Sequence, residues 1–470
     1  MSTDAPTRAG RARKRRGRVF VGTFAVVVAV LAVIGLAGAA ASVAQGPRVS
    51  SVQVDPEAAA AASGSRLIVT TSQSLAAVDP SQVTVTPATP FTVDTSGRSV
   101  GVRFTLPLFD DTEYTVSFAG VRGLGGGPSA TFAQSFRTPA TSLFLLQRTS
   151  SGDTIYRTDL TGGDAVPVYR NDHIEDYRAT SSHLVVSVTA DDVSQLVVTD
   201  LDGGQERTLP LPGEGYVSNL QSADRGELIG YTFSDADLGV DGGIESALFT
   251  ASLKESEADA EPTPVAVTGA DERVAEWRFV PDTDSILLLS FDGSLLLTGS
   301  TGQGATALGS AIEIEGIARG SSEAIVARFE GMKVIDLSDA SESDLVAADV
   351  DLGLRGAITP VPGGGTVRVG APTDDAGMPI GTTVASVAAD GATDVLVDLP
   401  STDVALHTCV SPSGRYAAIT VAPDAVGNPY DRYRLPLPER LESHIVEIAT
   451  GREVVVLSGF DVSWCQVPPA

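Results

Sequence analysis

One strand pattern recurs seven times between Ser142 and Val467, and this recurrence constrains the fold more than any other feature of the chain. Its clearest copies begin Trp277-Arg-Phe-Val-Pro-Asp and Cys409-Val-Ser-Pro-Ser-Gly. Each copy continues into further apolar strands that are separated by polar or Gly-rich turns. A repeat of this kind predicts a closed β-propeller, because one repeat cannot bury its apolar face without its neighbours.

The register of the repeat predicts how the ring closes. The second strand of each repeat begins near one of seven positions: Leu143, Leu184, Leu228, Ile286, Ala324, Thr366 and Tyr416. The chain therefore enters the first repeat at its second strand, and the segment from Phe460 to Val467 is left to supply the missing inner strand. Closure removes free sheet edges, which otherwise invite aggregation. We predict an all-β fold with a seven-bladed β-propeller over residues 142–467, closed by a C-terminal strand.

Residues 49–139 have a different organisation, in which short alternating strands are separated by turn residues. Six strands are expected, at Val49 to Val54, Arg66 to Thr71, Gln82 to Thr86, Val100 to Leu106, Tyr114 to Ala119 and Phe132 to Arg137. Alternation of apolar and polar residues over such short runs predicts a small antiparallel β-sandwich that precedes the propeller.

Short motifs in both regions resemble known families. Val52-Gln-Val-Asp-Pro, Leu106-Pro-Leu-Phe-Asp-Asp-Thr-Glu-Tyr-Thr-Val and Phe136-Arg-Thr-Pro resemble elements of bacterial Ig-like domains of cell-surface proteins, and this resemblance implies a stalk. The copies at Val410-Ser-Pro-Ser-Gly and Phe279-Val-Pro-Asp resemble WD40-like propellers of the TolB type. The copies near Ala179 and Gly320 lack the Pro and Asp of that motif.

The N-terminus combines a basic segment with an apolar one. Seven Lys or Arg residues lie within residues 1–18, and residues 19–44 are uncharged. An apolar run of this length can span a bilayer, and basic residues before it stay on the cytoplasmic side. We predict a cytoplasmic segment over residues 1–18, one transmembrane helix as a signal anchor over residues 19–44, and an extracytoplasmic remainder. The alternative is a secreted protein whose signal peptide is cleaved near Ala44.

The part of the chain after the anchor is strongly acidic. The whole sequence has a net charge of −27, and without its seven N-terminal basic residues and Asp4 the remainder has 25 basic against 58 acidic residues, a net charge of −33. Such a surface repels nucleic acid and favours cationic partners or divalent metal ions. We therefore expect no nucleic-acid partner.

The two cysteines, Cys409 and Cys465, each lie three residues before a proline, at equivalent positions on the inner strands of adjacent repeats. They would face each other where the ring closes. An oxidising compartment favours a disulfide between them, which would hold the C-terminal strand in place. The alternative is a pair of buried free thiols.

Motifs of known catalytic sites are missing from the sequence, which contains no Gly-x-Ser-x-Gly and no His-Glu-x-x-His. His407, four residues after Asp403, could act as a base or be a structural histidine. Asp235, Asp237 and Asp241 could supply oxygen ligands to calcium, or form a solvated acidic loop. No other cofactor is expected. We interpret the chain as non-enzymatic, with an extracytoplasmic carbohydrate-active enzyme, either a glycosidase or a lyase, as the alternative, since that chemistry needs only two suitably spaced carboxyl groups.

Three long insertions separate second from third strands, at Ser234 to Glu245, Ala371 to Thr382 and Ala422 to Ser443. In a propeller these loops emerge on one face, where binding residues concentrate. The longest contains the candidate binding residues Tyr430, Asp431, Arg432, Tyr433 and Arg434. Alternatively, Tyr430 and Tyr433 pack the loop onto its own blade. The sequence thus predicts a membrane-anchored binding or scaffold protein for an envelope protein or a cell-wall ligand.

Overall fold

The computed structural model describes residues 20–35, 45–163, 165–223, 227–239 and 242–469, and the chain divides into two compact units. The first contains the chain up to Asp55 together with Ser65–Phe104 and Glu113–Arg137. The second contains Pro56–Gly64, Thr105–Thr112 and Thr138–Ala470. Both units are built from β-strands, so the chain belongs to the all-β class.

Residues 20–35 are helical. Residues 1–18 and, within the predicted anchor, residues 19 and 36–44 lie outside the described residues. Across the part of the chain that the structure describes, no helix combines the length and the apolar character needed to cross a bilayer.

The first unit is a sandwich of two antiparallel sheets. One has the order β1-β2-β5-β4 and the other the order β3-β6-β7. The strands are β1 (Val49–Gln53), β2 (Arg66–Thr71), β3 (Val83–Thr86), β4 (Phe91–Ser96), β5 (Ser99–Phe104), β6 (Glu113–Val121) and β7 (Ala130–Arg137). The rings of Phe104 and Phe136 meet between the sheets at 6.1 Å. Strand β4 was not predicted, because none of its side chains is fully buried and its apolar residues are few. Between β1 and β8, where every residue is described, the other regular elements are the short helix Pro56–Ala61, which belongs to the second unit, and the 3-10 turn Pro80–Gln82.

In the second unit, the described strands from residue 142 onward form seven antiparallel sheets. Each sheet is a meander in chain order, as the repeat predicts. Sheet 1 has three strands: β8 (Ser142–Gln147), β9 (Asp153–Asp159) and β10 (Val166–Asn171). Sheet 2 comprises β11 (Ile174–Ala179), β12 (His183–Ala190), β13 (Val193–Asp200) and β14 (Arg207–Leu209), and sheet 3 comprises β15 (Gly215–Ser222), β16 (Leu228–Asp235), β17 (Ala247–Ser252) and β18 (Thr263–Pro264).

The remaining sheets continue this arrangement. Sheet 4 comprises β19 (Val274–Phe279), β20 (Ser285–Ser290), β21 (Ser294–Gly299) and β22 (Thr306–Ser310), and the 3-10 turn Glu255–Glu257 lies before it. Sheet 5 comprises β23 (Glu313–Ile317), β24 (Glu323–Arg328), β25 (Gly331–Asp336) and β26 (Ser341–Asp344). Sheet 6 comprises β27 (Leu354–Pro360), β28 (Thr366–Ala371), β29 (Gly381–Val387) and β30 (Thr393–Pro400). Sheet 7 comprises β31 (Val404–Val410), β32 (Tyr416–Ala422), β33 (Glu442–Glu447) and β34 (Arg452–Ser458).

The first strands of consecutive sheets, from β11 to β31, lie next to one another. Separate apolar clusters fill the spaces between neighbouring sheets, for example Leu289, Ile314 and Val326 between sheets 4 and 5. Repeated meanders that pack face to face with their first strands together form a β-propeller.

Polar side chains at one register position connect the inner strands. This position is the next-to-last residue pair between the first, inner strand of a sheet and the second strand of the same sheet. In sheets 2, 3, 4 and 6 it is occupied by Arg178, Gln221, Arg278 and Thr359. Each donates to a backbone carbonyl of the following sheet, at 2.6 Å to Leu220, 2.6 Å to Trp277, 3.0 Å to Ile314 and 3.1 Å to Thr408 respectively. These bonds satisfy buried carbonyl groups that no sheet ladder reaches.

Cys409 occupies the same register position in sheet 7, and it forms the predicted disulfide with Cys465, with 5.2 Å between the Cα atoms. The prediction of a disulfide is confirmed. The disulfide therefore occupies the register position from which side chains of sheets 2, 3, 4 and 6 donate hydrogen bonds to the following sheet. It joins sheet 7 to the C-terminal segment.

The C-terminal segment lies beside β8, at the inner position of sheet 1. The backbone groups of Leu146 and Phe460 exchange hydrogen bonds of 2.9 and 3.0 Å, and the Ser463 N–H donates to the Phe144 carbonyl at 3.0 Å. The pairing is one bridge and not the continuous strand that was predicted. Asp461 has a φ of 53°, which interrupts the extended backbone. Trp464 is buried and stacks on Tyr416 at 6.0 Å.

Candidate functional site

The three long insertions connect β16 to β17, β28 to β29 and β32 to β33. Because the first strands of consecutive sheets lie side by side and every sheet is a meander, these loops emerge at the same end of the sheets. The connections from each fourth strand to the next first strand reach that end too. We call it the insertion face.

The longest insertion, residues 423–441, is an ordered loop, which we call the strap. Tyr430 pairs with Pro438 in a β-bridge, and the Glu439 N–H donates to the Pro429 carbonyl at 2.8 Å. The buried Asn428 side chain closes the base of the loop, where it exchanges hydrogen bonds of 2.8 and 3.0 Å with the Arg440 backbone. Backbone hydrogen bonds within the strap and at its base thus fix the conformation of the loop before any partner binds.

Tyr433 attaches the strap to sheets 1 and 2. Its hydroxyl donates to the Asp153 carboxylate at 2.5 Å, and its ring stacks on His173 at 4.0 Å. Asp153 also accepts from the Ile174 N–H at 2.7 Å. Burial raises the pKa of Asp153, although these donors oppose the rise, and burial followed by the Asp153 contact raises the pKa of Tyr433. Tyr433 therefore attaches the loop to sheets 1 and 2 through both its ring and its hydroxyl.

Asp431 and Arg434 also make contacts within the unit. The buried Asp431 carboxylate pairs with Arg148 at 2.8 Å, and the Arg148 guanidinium lies 3.8 Å from the centre of the Tyr433 ring. The Arg434 guanidinium lies 3.3 Å from the centre of the Tyr216 ring, in sheet 3. Three of the five predicted binding residues, Asp431, Tyr433 and Arg434, thus hold the strap across sheets 1 to 3.

Tyr430 and Arg432 face outward, and the Tyr430 side chain is 60% exposed. Together with Arg440 they line a groove of about 1040 Å³. Residues 147–150 and Phe460 also line this groove. An exposed tyrosine on a fixed loop offers a large contact area whose ordering costs little entropy on binding.

The inner strands carry buried carboxylates, but they are engaged in the structure of the ring. Arg178 pairs with Asp176 at 3.0 Å and with Asp461 at 2.8 Å, so the two carboxyl groups share one guanidinium. Burial raises the pKa of Asp176 to about 8, against the opposing charge of Arg178. Glu276 accepts from the Ile314 N–H at 2.9 Å, and Glu315 accepts from the Ile358 N–H at 2.8 Å. Glu276 and Glu315 each connect one inner strand to the next, and Asp461 connects the C-terminal segment to Arg178.

His407 and Asp403 are not brought together as a catalytic pair. Asp403 accepts a hydrogen bond of 3.0 Å from the Asp424 N–H at the base of the strap. Burial, with the positive charges of Arg178 and Arg278, lowers the pKa of His407 to about 4. The imidazole is therefore neutral, and a weak base, at neutral pH.

The calcium candidates belong to the insertion between β16 and β17. Asp235 accepts the Ile244 N–H at 2.7 Å and so holds the base of this loop. Asp237 is exposed, and Asp241 lies outside the described residues. Within the described ranges, no group of three or more His, Cys, Asp or Glu side chains is placed to hold a metal ion. The calcium site stays a prediction.

Sequence reasoning missed two sets of residues at the insertion face. Arg148, Asp153 and His173 hold the strap, but they lie far from it in the chain and carry no motif. The second set is apolar: Phe291-Asp-Gly and Phe329-Glu-Gly place an exposed phenylalanine in the turn between the second and third strands of sheets 4 and 5. Both turns have the sequence pattern aromatic, acidic, glycine. This pattern is visible in the sequence and could have identified the two exposed phenylalanines.

No protein-family model and no curated protein matches this chain. Solved structures to which this chain is similar include the β-propeller domain of Cps50 (Swd1) from Myceliophteria thermophila, at 13% identity and a TM-score of 0.41, with 62% of this chain and 87% of that chain covered. Another is a protein of unknown function from Bacteroides thetaiotaomicron, at 11% identity and a TM-score of 0.37, with 79% and 94% covered. At such TM-scores the assignment of a β-propeller depends on the strand pattern of this chain.

Proposed function

We propose that this protein is a non-enzymatic scaffold that is anchored in the membrane and displays a seven-bladed β-propeller outside it. In this proposal each of the seven sheets is a blade, and the sandwich is an Ig-like stalk. The partner is an envelope protein or a cell-wall component. The observation that carries the proposal is the strap, a loop fixed on sheets 1 to 3 with Tyr430 and Arg432 turned outward beside a groove of about 1040 Å³.

The strap supports binding because its interior contacts and its outward residues have separate roles. Asp431, Tyr433 and Arg434 are engaged within the unit, so their cost of ordering is met during folding. Tyr430 and Arg432 are the residue types that dominate contact energies at protein interfaces. The inner carboxylates are engaged with Arg178 and with backbone N–H groups, and no observation favours the carbohydrate-active alternative.

The test is recovery of partners after cross-linking on intact cells. Full-length protein is compared with a Tyr430→Ala/Arg432→Ala variant and with Arg452→Ala, which removes an exposed arginine from the start of β34. Deletion of the whole strap is unsuitable, because it would expose Asp153 and Arg148. We expect loss of a specific partner in the double variant alone. An unchanged set of recovered partners in all three proteins would reject the proposed site.

The location is tested separately. The basic segment and the uncharged run of residues 19–44 support an anchor whose C-terminal domains are extracytoplasmic. We expect protease added to intact cells to degrade the sandwich and the propeller. In cells that are not treated with protease, we expect the chain to be found in the membrane fraction. Release of the intact chain to the medium would instead favour cleavage near Ala44, and protection from protease would contradict export.

A further inference from the structure

Exposed apolar side chains are concentrated on the insertion face of sheets 4 to 6. We define the apolar rim as Phe291, Ile312, Phe329, Leu354, Met378 and Ile380, which are between 51% and 90% exposed. Four of them lie in connections between second and third strands, and Ile312 and Leu354 lie at the connections that lead into β23 and β27. Because all these connections reach the same end of the sheets, the six side chains share one face.

The opposite face lacks this feature. In its described turns, which connect first to second and third to fourth strands, no large apolar side chain is exposed, and at the described strand ends beside them Val166, at the start of β10, is the single exposed one, at 47%. Segments of the same unit also cover part of that face. Arg415, between β31 and β32, donates to the Asp110 carbonyl at 3.0 Å, and the Ser63 hydroxyl donates to Asp282, between β19 and β20, at 2.6 Å. Exposed apolar surface that is grouped on one side of a soluble domain marks an interaction site.

The rim is held in position. The Asp374 carboxylate accepts the Ala376 and Met378 N–H groups, both at 2.9 Å, and the Ile380 N–H donates to the Pro372 carbonyl at 2.9 Å. This insertion is therefore an ordered turn that presents Met378 and Ile380 outward. Methionine adapts to different apolar surfaces, so Met378 suits a contact with a partner.

Acidic residues accompany the rim. Asp292 follows Phe291, Glu330 follows Phe329, and Asp374 and Asp375 precede Met378, and all four are exposed. Arg273, over the Phe291 ring, is paired with Asp271 at 2.7 Å. A partner that covers the apolar side chains must also face these carboxylates, so an acidic partner or an anionic lipid surface is disfavoured.

We propose that the apolar rim is a second contact surface of the proposed binding face, and that it accepts an amphipathic protein segment that carries apolar side chains together with Lys or Arg. The inference rests on the proposed scaffold function and names the chemistry of its partner. Apolar burial would supply affinity, and the carboxylates would select a basic segment and speed its association.

The test measures binding of two peptides to the purified full-length chain. One is an amphipathic peptide of about 18 residues built from Leu and Lys, and the other has Glu in place of Lys, so that both have the length of a helical contact segment. The rim variant is Phe329→Ser/Met378→Ser/Ile380→Ser. Its control, Val166→Ser/Val395→Ser/Val456→Ser, removes three exposed apolar side chains from the outermost strands β10, β30 and β34.

We expect the Lys peptide to bind at least about tenfold more tightly than the Glu peptide, and the rim variant to lose about tenfold in affinity for it, which is about 1.4 kcal/mol. The control variant should bind like the wild type, and all proteins should share one thermal midpoint. Three results would overturn the proposal: equal binding of both peptides, a rim variant that binds like the wild type, or a dimer of the wild-type chain that the rim variant abolishes. If only the rim test fails while Tyr430→Ala/Arg432→Ala still loses its partner on cells, the scaffold function stands without this surface.

Discussion

At the scale of single residues, buried polar groups determine how the propeller is held together. Asp153, Arg148 and Tyr433 satisfy one another where the strap meets sheets 1 and 2. Asp176, Arg178 and Asp461 do the same where the C-terminal segment meets sheet 2. Removal of one member leaves another buried and unpaired, which costs more than the net value of the bond itself.

Replacement of Tyr433 by Phe tests the strap contact. The ring and its stacking on His173 remain, but the Asp153 carboxylate loses a donor at 2.5 Å. We expect the free energy of unfolding to fall by about 1 to 3 kcal/mol in urea titrations. Tyr430→Phe, which alters an exposed hydroxyl on the same loop, serves as the control and should change stability by less than about 0.5 kcal/mol. Equal effects of the two substitutions would contradict the role of Tyr433.

The Asp176 carboxyl group predicts a pH dependence of stability. Its pKa is about 8 in the folded chain against 3.8 for an aspartate side chain in water, so between these values the folded state binds the additional proton. Stability from this group is therefore lost as pH rises from about 4 to about 8. Asp176→Asn mimics the protonated form and keeps the pair of Arg178 with Asp461.

We expect Asp176→Asn to raise the urea midpoint relative to the wild type by a small amount at about pH 5 and by a larger amount at about pH 9. His407→Gln is the matched comparison. The pKa of His407 is lowered from 6.5 to about 4 in the folded chain, so the wild type is expected to lose stability from this group as pH falls from 6.5 towards about 4. This direction is opposite to that expected for Asp176. A difference between Asp176→Asn and the wild type that does not grow with pH would show that this carboxyl group does not hold its proton in the fold.

At the scale of elements, the C-terminal segment is joined to the ring by four kinds of contact. These are the bridge between Leu146 and Phe460, the ion pair of Asp461 with Arg178, the disulfide of Cys465 with Cys409, and the packing of Phe460, Val462 and Trp464 in apolar clusters. None is a long strand ladder. The covalent bond is therefore expected to contribute a large share of the stability of closure.

The Cys409→Ser/Cys465→Ser variant tests that share. A disulfide between cysteines 56 positions apart is expected to stabilise the chain by about 4 kcal/mol through loss of entropy in the unfolded state. We expect a lower thermal midpoint and faster cleavage of the last residues by carboxypeptidase. If the variant and the wild type share both properties, the disulfide is not needed to hold the segment.

Much of this arrangement was accessible from the sequence, because alternating apolar residues fix which side of a strand is buried. All seven second strands were placed within about one residue of their observed starts, which is within the usual error of element boundaries. The C-terminal strand was predicted as regular, but Asp461 adopts a positive φ that turns its side chain towards Arg178, and periodicity does not report such a local conformation. The contacts of Tyr433 were inaccessible because His173 and Asp153 are remote in the chain.

At the scale of the whole molecule, the two faces of the propeller differ in what they expose. The insertion face carries the strap, the groove and the apolar rim. The opposite face carries polar turns and, within the second unit, the segments that contain Ser63 and Asp110. This asymmetry is the physical basis for a binding function, because a passive spacer has no need to keep apolar side chains in water on one side.

The most direct test of this account places a photo-activated cross-linking amino acid at four positions of the chain in intact cells. Phe329 and Met378 are on the insertion face of sheets 5 and 6, and the exposed Asp339 and Asp390 are on the opposite face of the same sheets. The account predicts cross-links to a partner protein from Phe329 and Met378 and none from Asp339 and Asp390. Cross-links from Asp339 and Asp390 alone would contradict it.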